Sequence, residues 1–327
     1  MSDLRKDLVS GDWIIMAPER AKRPSEFFPE KRARNILPKE QCPFDDLAKS
    51  GNLPMYIGAP DEKSWKAAVV PNKFPALTHS DVCATMVQDG LFEHVEGHGQ
   101  HDLLIFREHE KGIDAIPRND VIMAFEALQK RYLMLAKDKC LVYTSAFFNW
   151  GPSAGASLHH PHIQILTLPI MPPSILHSLV HSRNYWQKHK RCVHCDILAY
   201  EEKEKVRIVC ESERAIAVAP YASRHPFGVT VYPKAHLPSF EATGRDDLAA
   251  VVDMLQSCLG KMKRNINDPD LNFFIHTAPL KSKKTYTHYH WHMEVLPKIS
   301  IPAGFELSTG VLINVVPPET AAAMLRR

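Results

Sequence analysis

The order of chemistry-bearing segments in the first half of this chain is repeated in the second, and a repeat of that kind constrains a fold more than composition does. The first half reads Cys42, then VVPNKFPAL (Val69–Leu77), then HDLLIFREH ending at His109. An amphipathic stretch from Asn119 to Asp138 follows, then YTSAFFNWG and LHHPHIQIL. The second half reads Cys192-Val-His-Cys195, AIAVAPYA (Ala215–Ala222) and FGVTVYPKAH ending at His236, then an amphipathic stretch from Asp246 to Met262, NFFIHTAP and THYHWHMEVL. His109 and His160 are 51 residues apart, His236 and His290 are 54 apart. The spacing predicts two like units, 1–170 and 171–327, each an antiparallel sheet with a packed helix: an α+β fold. Between them, Pro169, Pro172 and Pro173 interrupt regular structure, and the stretch after them reads as a connecting helix.

Each half ends in a strand-like run with alternating polar residues, His160-Pro-His162-Ile-Gln164 and His290-Trp-His292-Met-Glu294. Alternate residues of a strand share a face, so each run predicts a polar ridge. A wet edge strand explains one such ridge; it does not explain the same chemistry at equivalent points of a repeat. The charge balance, Lys+Arg 40 against Asp+Glu 37, gives no field that would recruit nucleic acid. No apolar run approaches the roughly 18 residues of a membrane helix, and the first residues lack a secretory h-region. Seven cysteines without a framework spacing predict reduced thiols, hence a cytoplasmic protein. The basic, Pro-punctuated segment Pro18–Glu40 taken alone reads as a solvated arm.

Cys192 and Cys195 form a C-x-x-C pair that can grip one tetrahedral ion, and the repeat nominates His236 and His290 to complete a structural zinc site. A redox role for this pair needs a thioredoxin-like βαβ setting that the surrounding KHKRCVHCDILAYEEKEK does not offer. In the first half Cys42, His109 and His160 are in register, but Asp45 stands in place of a second thiolate, which predicts a weaker site. His162 is the candidate nucleophile: a neutral imidazole attacks phosphorus near neutral pH when one ring nitrogen is held by an acceptor and the other is bare. Gln164, two residues on, shares its face and offers an amide to phosphate oxygens without supplying a proton. The loop Gly151–Ser157 is built of small residues whose N–H groups, with the Ser157 hydroxyl, suit phosphate.

The run Ser157-Leu-His159-His160-Pro161-His162-Ile163-Gln164 resembles the active-site motif of galactose-1-phosphate uridylyltransferases, in the histidine-triad superfamily. The resemblance covers nearly the whole chain. It implies two histidine-triad-like repeats and catalysis by His162 with Gln164 and Ser157. It places Arg20 and Arg23 by substrate phosphates, Asn72 and Phe74 at the nucleoside, Asn149 at a further nucleotide contact, and Phe305 and Glu306 at the sugar. The departures are specific: Leu158-His159 where the family often has Asn-Pro, Ile163 where it often has Gly, and Lys73 where some members carry Asp. The second metal site of the best-known members uses a Glu and three His, with His276, His290 and His292 in register here. The Cys192/Cys195 pair instead resembles relatives with two Cys and two His there, some of which act on ADP-glucose.

The expected reaction is a two-step exchange between a nucleotide sugar and a hexose 1-phosphate, most simply UDP-glucose with galactose 1-phosphate, in a zinc-containing homodimer. The first alternative is an ADP-sugar phosphorylase or adenylyltransferase on the same fold. A nucleotide hydrolase built on His288-Tyr-His290-Trp-His292 is weaker, because Lys281, Lys283 and Lys284 stand where a small phosphate loop belongs. A zinc-stapled binding module would leave Ser157, His162 and Gln164 without a purpose.

Overall fold

The computed structural model describes residues 1–20, 34, 36–48, 54–58, 64–281 and 283–327. A short N-terminal hairpin comes first, β1 (Asp3–Lys6) and β2 (Trp13–Met16). The first half then contributes β3 (Tyr56–Gly58), β4 (Ala67–Pro71), the small hairpin β5 (Met86–Asp89) and β6 (Phe92–Val95), β7 (Gln100–Phe106), α1 (Arg118–Leu135), β8 (Tyr143–Trp150) and β9 (His162–Leu168). Two helices connect the halves, α2 (Pro173–His189) and α3 (Val193–Glu204). The second half contributes β10 (Ile208–Glu211), β11 (Ala215–Val218), β12 (Val229–Pro233), α4 (Arg245–Asn265), β13 (Leu271–His276) and β14 (His292–Pro297). The C-terminal segment adds α5 (Gly304–Thr309), β15 (Leu312–Asn314) and α6 (Pro318–Arg326).

Among the described residues, ten strands form one antiparallel sheet in the order β3-β4-β7-β9-β8-β13-β14-β12-β11-β10. Read from either edge to the middle, the two halves give the same order of strands. They meet where β8 pairs with β13, in the register Asn149↔Asn272 and Phe148↔Phe273. A smaller sheet, β1-β2-β15, includes a parallel β2–β15 pair.

Strand alternation sorts the side chains. Ala67, Val69, Phe148, Ile163 and Ile165 of the first half, with Ala215, Ala217, Phe273, Met293 and Val295 of the second, face α1 and α4 in one continuous core. The Phe148 and Phe273 rings stack at 4.8 Å across the central junction. The two helices are tied reciprocally. Gln129 of α1 donates to the carbonyls of Phe240 and Thr243, while Gln256 of α4 donates to those of Ile113 and Ile116. The opposite residues of each strand face away from the helices, and both sets of histidines lie on that second face.

The two amphipathic stretches fold as the helices expected, α1 and α4, within a few residues of the predicted ends. The connector departs from expectation in forming two helices, broken at Lys190, which takes a left-handed conformation (φ 58°) and caps α2. The polar ridges also need correction. β9 begins at His162 and β14 at His292, so His160 and His290 precede their strands and turn elsewhere. Finally, Cys83 and Cys140 are joined in a disulfide, their Cα atoms 4.9 Å apart, so the expectation of reduced thiols fails for this pair. The long excursion between β4 and β7 brings Cys83 against the turn after α1, a proximity that spacing along the chain does not reveal. Among the described residues, no helix is long and apolar enough to cross a membrane.

Candidate active site

His162 is 7% exposed at the first position of β9, in a T-shaped arrangement with the Phe44 ring, the centroids 5.1 Å apart. Its Nδ1 lies 2.8 Å from the carbonyl oxygen of His160. A carbonyl only accepts, so Nδ1 carries the proton and Nε2 presents a bare lone pair. Burial pushes the pKa of this imidazole down, against the opposing pull of the His160 carbonyl, which keeps the ring neutral.

Gln164 stands beside it, opposite Leu103 of β7 and Phe147 of β8. Its orientation follows from a neighbour. The backbone N–H of Ala76 donates to Nδ1 of His101 at 3.0 Å, so the proton of this ring sits on Nε2. That Nε2 lies 3.2 Å from Oε1 of Gln164, and donation there leaves the NH₂ of Gln164 for the site. Asn72 closes the group. Its Oδ1 accepts from the Phe74 N–H at 3.0 Å, and its Nδ2 lies 3.1 and 3.5 Å from Nε2 and Nδ1 of His101. An amide that close to both nitrogens lies alongside the ring rather than end-on.

The small-residue loop after β8 is anchored to the other half of the molecule. Asn272 of β13 donates to Oδ1 of Asn149 at 2.8 Å and to the Ala154 carbonyl at 2.9 Å, while the Ser153 N–H donates to Asp270. Gly151 adopts φ +86°, and a Cβ there would meet Asp270 Oδ1 at 1.8 Å, so this corner admits glycine alone.

Next to His162, Cys42, Asp45, His109 and His160 converge, with one ligand atom from each within 4.8 Å of the others. Nε2 of His109 donates to the Leu37 carbonyl at 2.7 Å and Nε2 of His160 to that of Phe106 at 2.5 Å. Both Nδ1 atoms are therefore unprotonated in the neutral rings, yet they face each other at 3.3 Å, with Asp45 Oδ2 at 2.5 and 3.4 Å from them. Lone pairs and a carboxylate pointed inward are the environment of a cation, so these residues fit a metal ion. Burial lowers the pKa of His160 to about 4 and raises that of Cys42 to about 11, so in the absence of a cation both groups stay neutral.

The second half repeats the arrangement with two sulfurs. Cys195 Sγ lies 3.3 Å from His236 Nδ1 and 3.6 Å from His290 Nδ1, and Cys192 completes the set. The Nε2 atoms again donate to carbonyls, His236 to Thr287 at 2.7 Å and His290 to Pro233 at 3.0 Å. The hydrogen bond from Cys192 is the largest influence on Cys195, and with His236 and His290 it depresses the pKa of that thiol to about 3. The thiolate is the form that binds metal. His290 is turned to Cys195, while His276 and His292 converge with Glu294, the ligand atoms of these three lying within 4.8 Å of one another.

Arg20 is exposed in the turn after β2. Phe305 and Glu306 sit in α5, where the Glu306 carboxylate accepts from the Ala303 N–H. Phe74 is 82% exposed and Ser157 is exposed on the loop before β9. Arg23 lies outside the described residues. Two neighbours of the site went unnoticed in the sequence, His101 and Phe44. The alternation of His101, Leu103 and Ile105 along β7 carried a signal for the first; Phe44 had none, because it enters from a loop.

A family described as a domain of unknown function (DUF4921) matches residues 46–326. The ADP-glucose phosphorylase of Arabidopsis thaliana is 34% identical over 334 residues, spanning 99% of this chain and 92% of its own length. This chain belongs to the galactose-1-phosphate uridylyltransferase family of the histidine-triad superfamily. The galactose-1-phosphate uridylyltransferase of Thermotoga maritima is 26% identical, with 100% of this chain and 98% of its own length aligned. A crystal structure of the Arabidopsis ADP-glucose phosphorylase with bound ADP-glucose superposes with a TM-score of 0.84 at 30% identity, covering 100% and 99% of the two chains. A uridylyltransferase structure shares the fold, with a TM-score of 0.75 at 24% identity and coverage of 100% and 97%. These relatives are named enzymes, and the chain is an enzyme of their family.

Proposed function

We propose that the chain transfers a nucleotidyl group from a nucleotide sugar to a phosphate acceptor through a covalent nucleotidyl-His162. The observation that supports this is the state of the His162 ring, with Nδ1–H committed to the His160 carbonyl and Nε2 bare beside the Gln164 amide. Nε2 forms a bond to the α-phosphorus, the bond from phosphorus to the sugar-phosphate oxygen breaks, and hexose 1-phosphate leaves with that electron pair. The ring keeps its Nδ1 proton and becomes cationic, a charge the His160 carbonyl stabilises. An acceptor phosphate oxygen then attacks phosphorus and returns the electron pair to Nε2. No step requires a general acid, because both leaving groups are stable without a proton. The Gln164 NH₂ is placed to bond the phosphoryl oxygens as charge shifts among them.

Either metal group, holding zinc, would fix the backbone around its histidines: His160 supplies the carbonyl that orients His162. The ion is assigned that structural part and no chemical one. For the donor we favour ADP-glucose, with inorganic phosphate as acceptor, on the 34% relative. UDP-glucose with galactose 1-phosphate is the second reading, supported by the uridylyltransferase relatives. We retain the functional division into 1–170, with the nucleophile, and 171–327. We propose a homodimer on the exposed Ile301, Phe305 and Leu307, and substrate contacts for Arg20, Phe305 and Glu306.

The test is release of glucose 1-phosphate from ADP-glucose and UDP-glucose side by side, each with phosphate and with galactose 1-phosphate. Phosphate-dependent release from ADP-glucose is the expected result. Release of a free nucleoside monophosphate at the same rate, without acceptor, would replace transfer by hydrolysis.

A further inference from the structure

The second half carries a chemistry-bearing face that the proposed reaction leaves unused. His292 and Glu294 in β14, with His276 opposite His292 in β13, project from the face of the sheet that bears His162 and Gln164. Their positions are related to His162, Gln164 and Asn149 by the repeat. Glu294 Oε1 lies 3.2 Å from His276 Nδ1 and 3.7 Å from His292 Nε2. Over this floor α2, α3 and the turn between β1 and β2 close a cavity of about 520 Å³, within the range of small-molecule sites.

Its polar groups are not all satisfied. Glu201 and His194 line the cavity and are 2% and 0% exposed. Glu201 Oε2 and both ring nitrogens of His194 have no hydrogen-bond partner among the described residues. Buried polar atoms left in this way ask for a partner that the protein does not supply. The charges narrow its identity. Arg207 is engaged by Glu201 and Glu319, and Arg224 by Asp7 and Asp12. Lys6 stays at the rim, over the Trp13 ring. A phosphate entering here would meet the carboxylates of Glu294 and Glu201 and no uncommitted guanidinium. A hydroxyl group suits both a carboxylate and an imidazole, since it donates to the first and exchanges either role with the second. Tyr200 and Tyr221, 56% and 50% exposed, offer aromatic surface at the mouth.

We propose that this cavity binds a neutral, polyhydroxylated ring compound, a free monosaccharide or a nucleoside without phosphate, through hydroxyls bonded to Glu294 and Glu201. The site lies on the second half of that sheet face, apart from His162, and does not depend on the reaction assigned there.

Calorimetric titration of the full-length protein with glucose, galactose, adenosine and inorganic phosphate tests it. At least one of the three neutral compounds binds one per chain, and inorganic phosphate does not compete. Glu294→Gln, which keeps the side-chain shape, weakens that binding by about tenfold, as expected when a hydrogen bond to a charged group is degraded. Tyr200→Ala, on an exposed position that folding tolerates, weakens it as well, and Gln164→Ala in the first half leaves it unchanged. Binding of glucose or galactose without adenosine identifies the sugar, and the reverse the nucleoside. The proposal is overturned if none of the three binds up to its solubility, if phosphate displaces them, or if Gln164→Ala rather than the second-half variants removes the binding.

Discussion

The two halves of the sheet carry the same strands in the same order, yet they differ at the residue beside the histidine on the equivalent strand. In the first half that residue is Gln164, held by His101 so that an amide faces the bare nitrogen of His162. In the second it is Glu294, whose Oε1 lies 3.7 Å from Nε2 of His292. Both histidines donate Nδ1–H to the carbonyl two residues back, at 2.8 and 3.0 Å, so as isolated rings they are equally prepared to attack. The neighbours separate them. Burial works to protonate Glu294, but His276 and His292 outweigh it and hold its pKa well below the ordinary carboxylate range. An anion at that place repels a phosphoryl group, whereas an amide attracts it. Within the duplicated scaffold the exchange of Gln164 for Glu294, together with that of Asn149 for His276, gives the two faces different chemistry. The metal groups differ by a comparable exchange, Asp45 for Cys195.

The comparison can be broken most sharply at the nucleophile. His162→Ala is expected to lose about a thousandfold or more of transfer, as removal of a covalent catalyst does, and to lose the acid-labile nucleotidyl label on the protein. His292→Ala should retain both. Label that persists in His162→Ala and vanishes in His292→Ala would exchange the roles of the two halves.

Gln164→Glu makes the first half like the second. A loss of roughly a hundredfold in kcat/KM is expected, the order found when a group stabilising charge in the transition state is removed. A variant within a few-fold of the parent would show that the neighbour does not decide which half reacts.

The metal groups should part next. Elemental analysis during graded chelation is expected to show the Cys42/Asp45/His109/His160 group losing zinc before the Cys192/Cys195/His236/His290 group, since a carboxylate is a weaker partner than a thiolate for this borderline-soft ion. Asp45→Cys should narrow the gap. Cys195→Ser should lower the melting temperature before it changes kcat, because binding energy at a structural ion is folding energy.

The smallest effect is reserved for His101. His101→Phe frees the Gln164 amide to rotate, and a fall of about tenfold in kcat with KM nearly unchanged is expected, the order of one hydrogen bond. An equal loss from Gln164→Ala and from the double variant would confirm that His101 acts through Gln164, while additive losses would give it a separate part.

Much of this was legible in the chain. Strand alternation put His162 with Gln164 and His292 with Glu294, the amphipathic stretches announced α1 and α4, and the C-x-x-C spacing with the repeat nominated the eight residues of the two four-residue groups that could hold a metal. These are signals of local periodicity and of like segments recurring in like order, and they survive without knowledge of where anything lies in space. What escaped was decided by contacts across strands and loops. His160 and His290 precede their strands because their rings are claimed by Phe106 and Pro233 carbonyls on neighbouring segments. Cys83 meets Cys140 through an excursion whose path no spacing specifies. Gln164 points its amide to the site because the Ala76 N–H, on a third segment, fixes the tautomer of His101. Sequence determined which residues recur and with what period, since period is a property of the backbone. Only the tertiary structure decided their tautomers, partners and enclosure, since a proton on a ring or an orphaned carboxylate is set by whichever group packing brings within 3 Å or so.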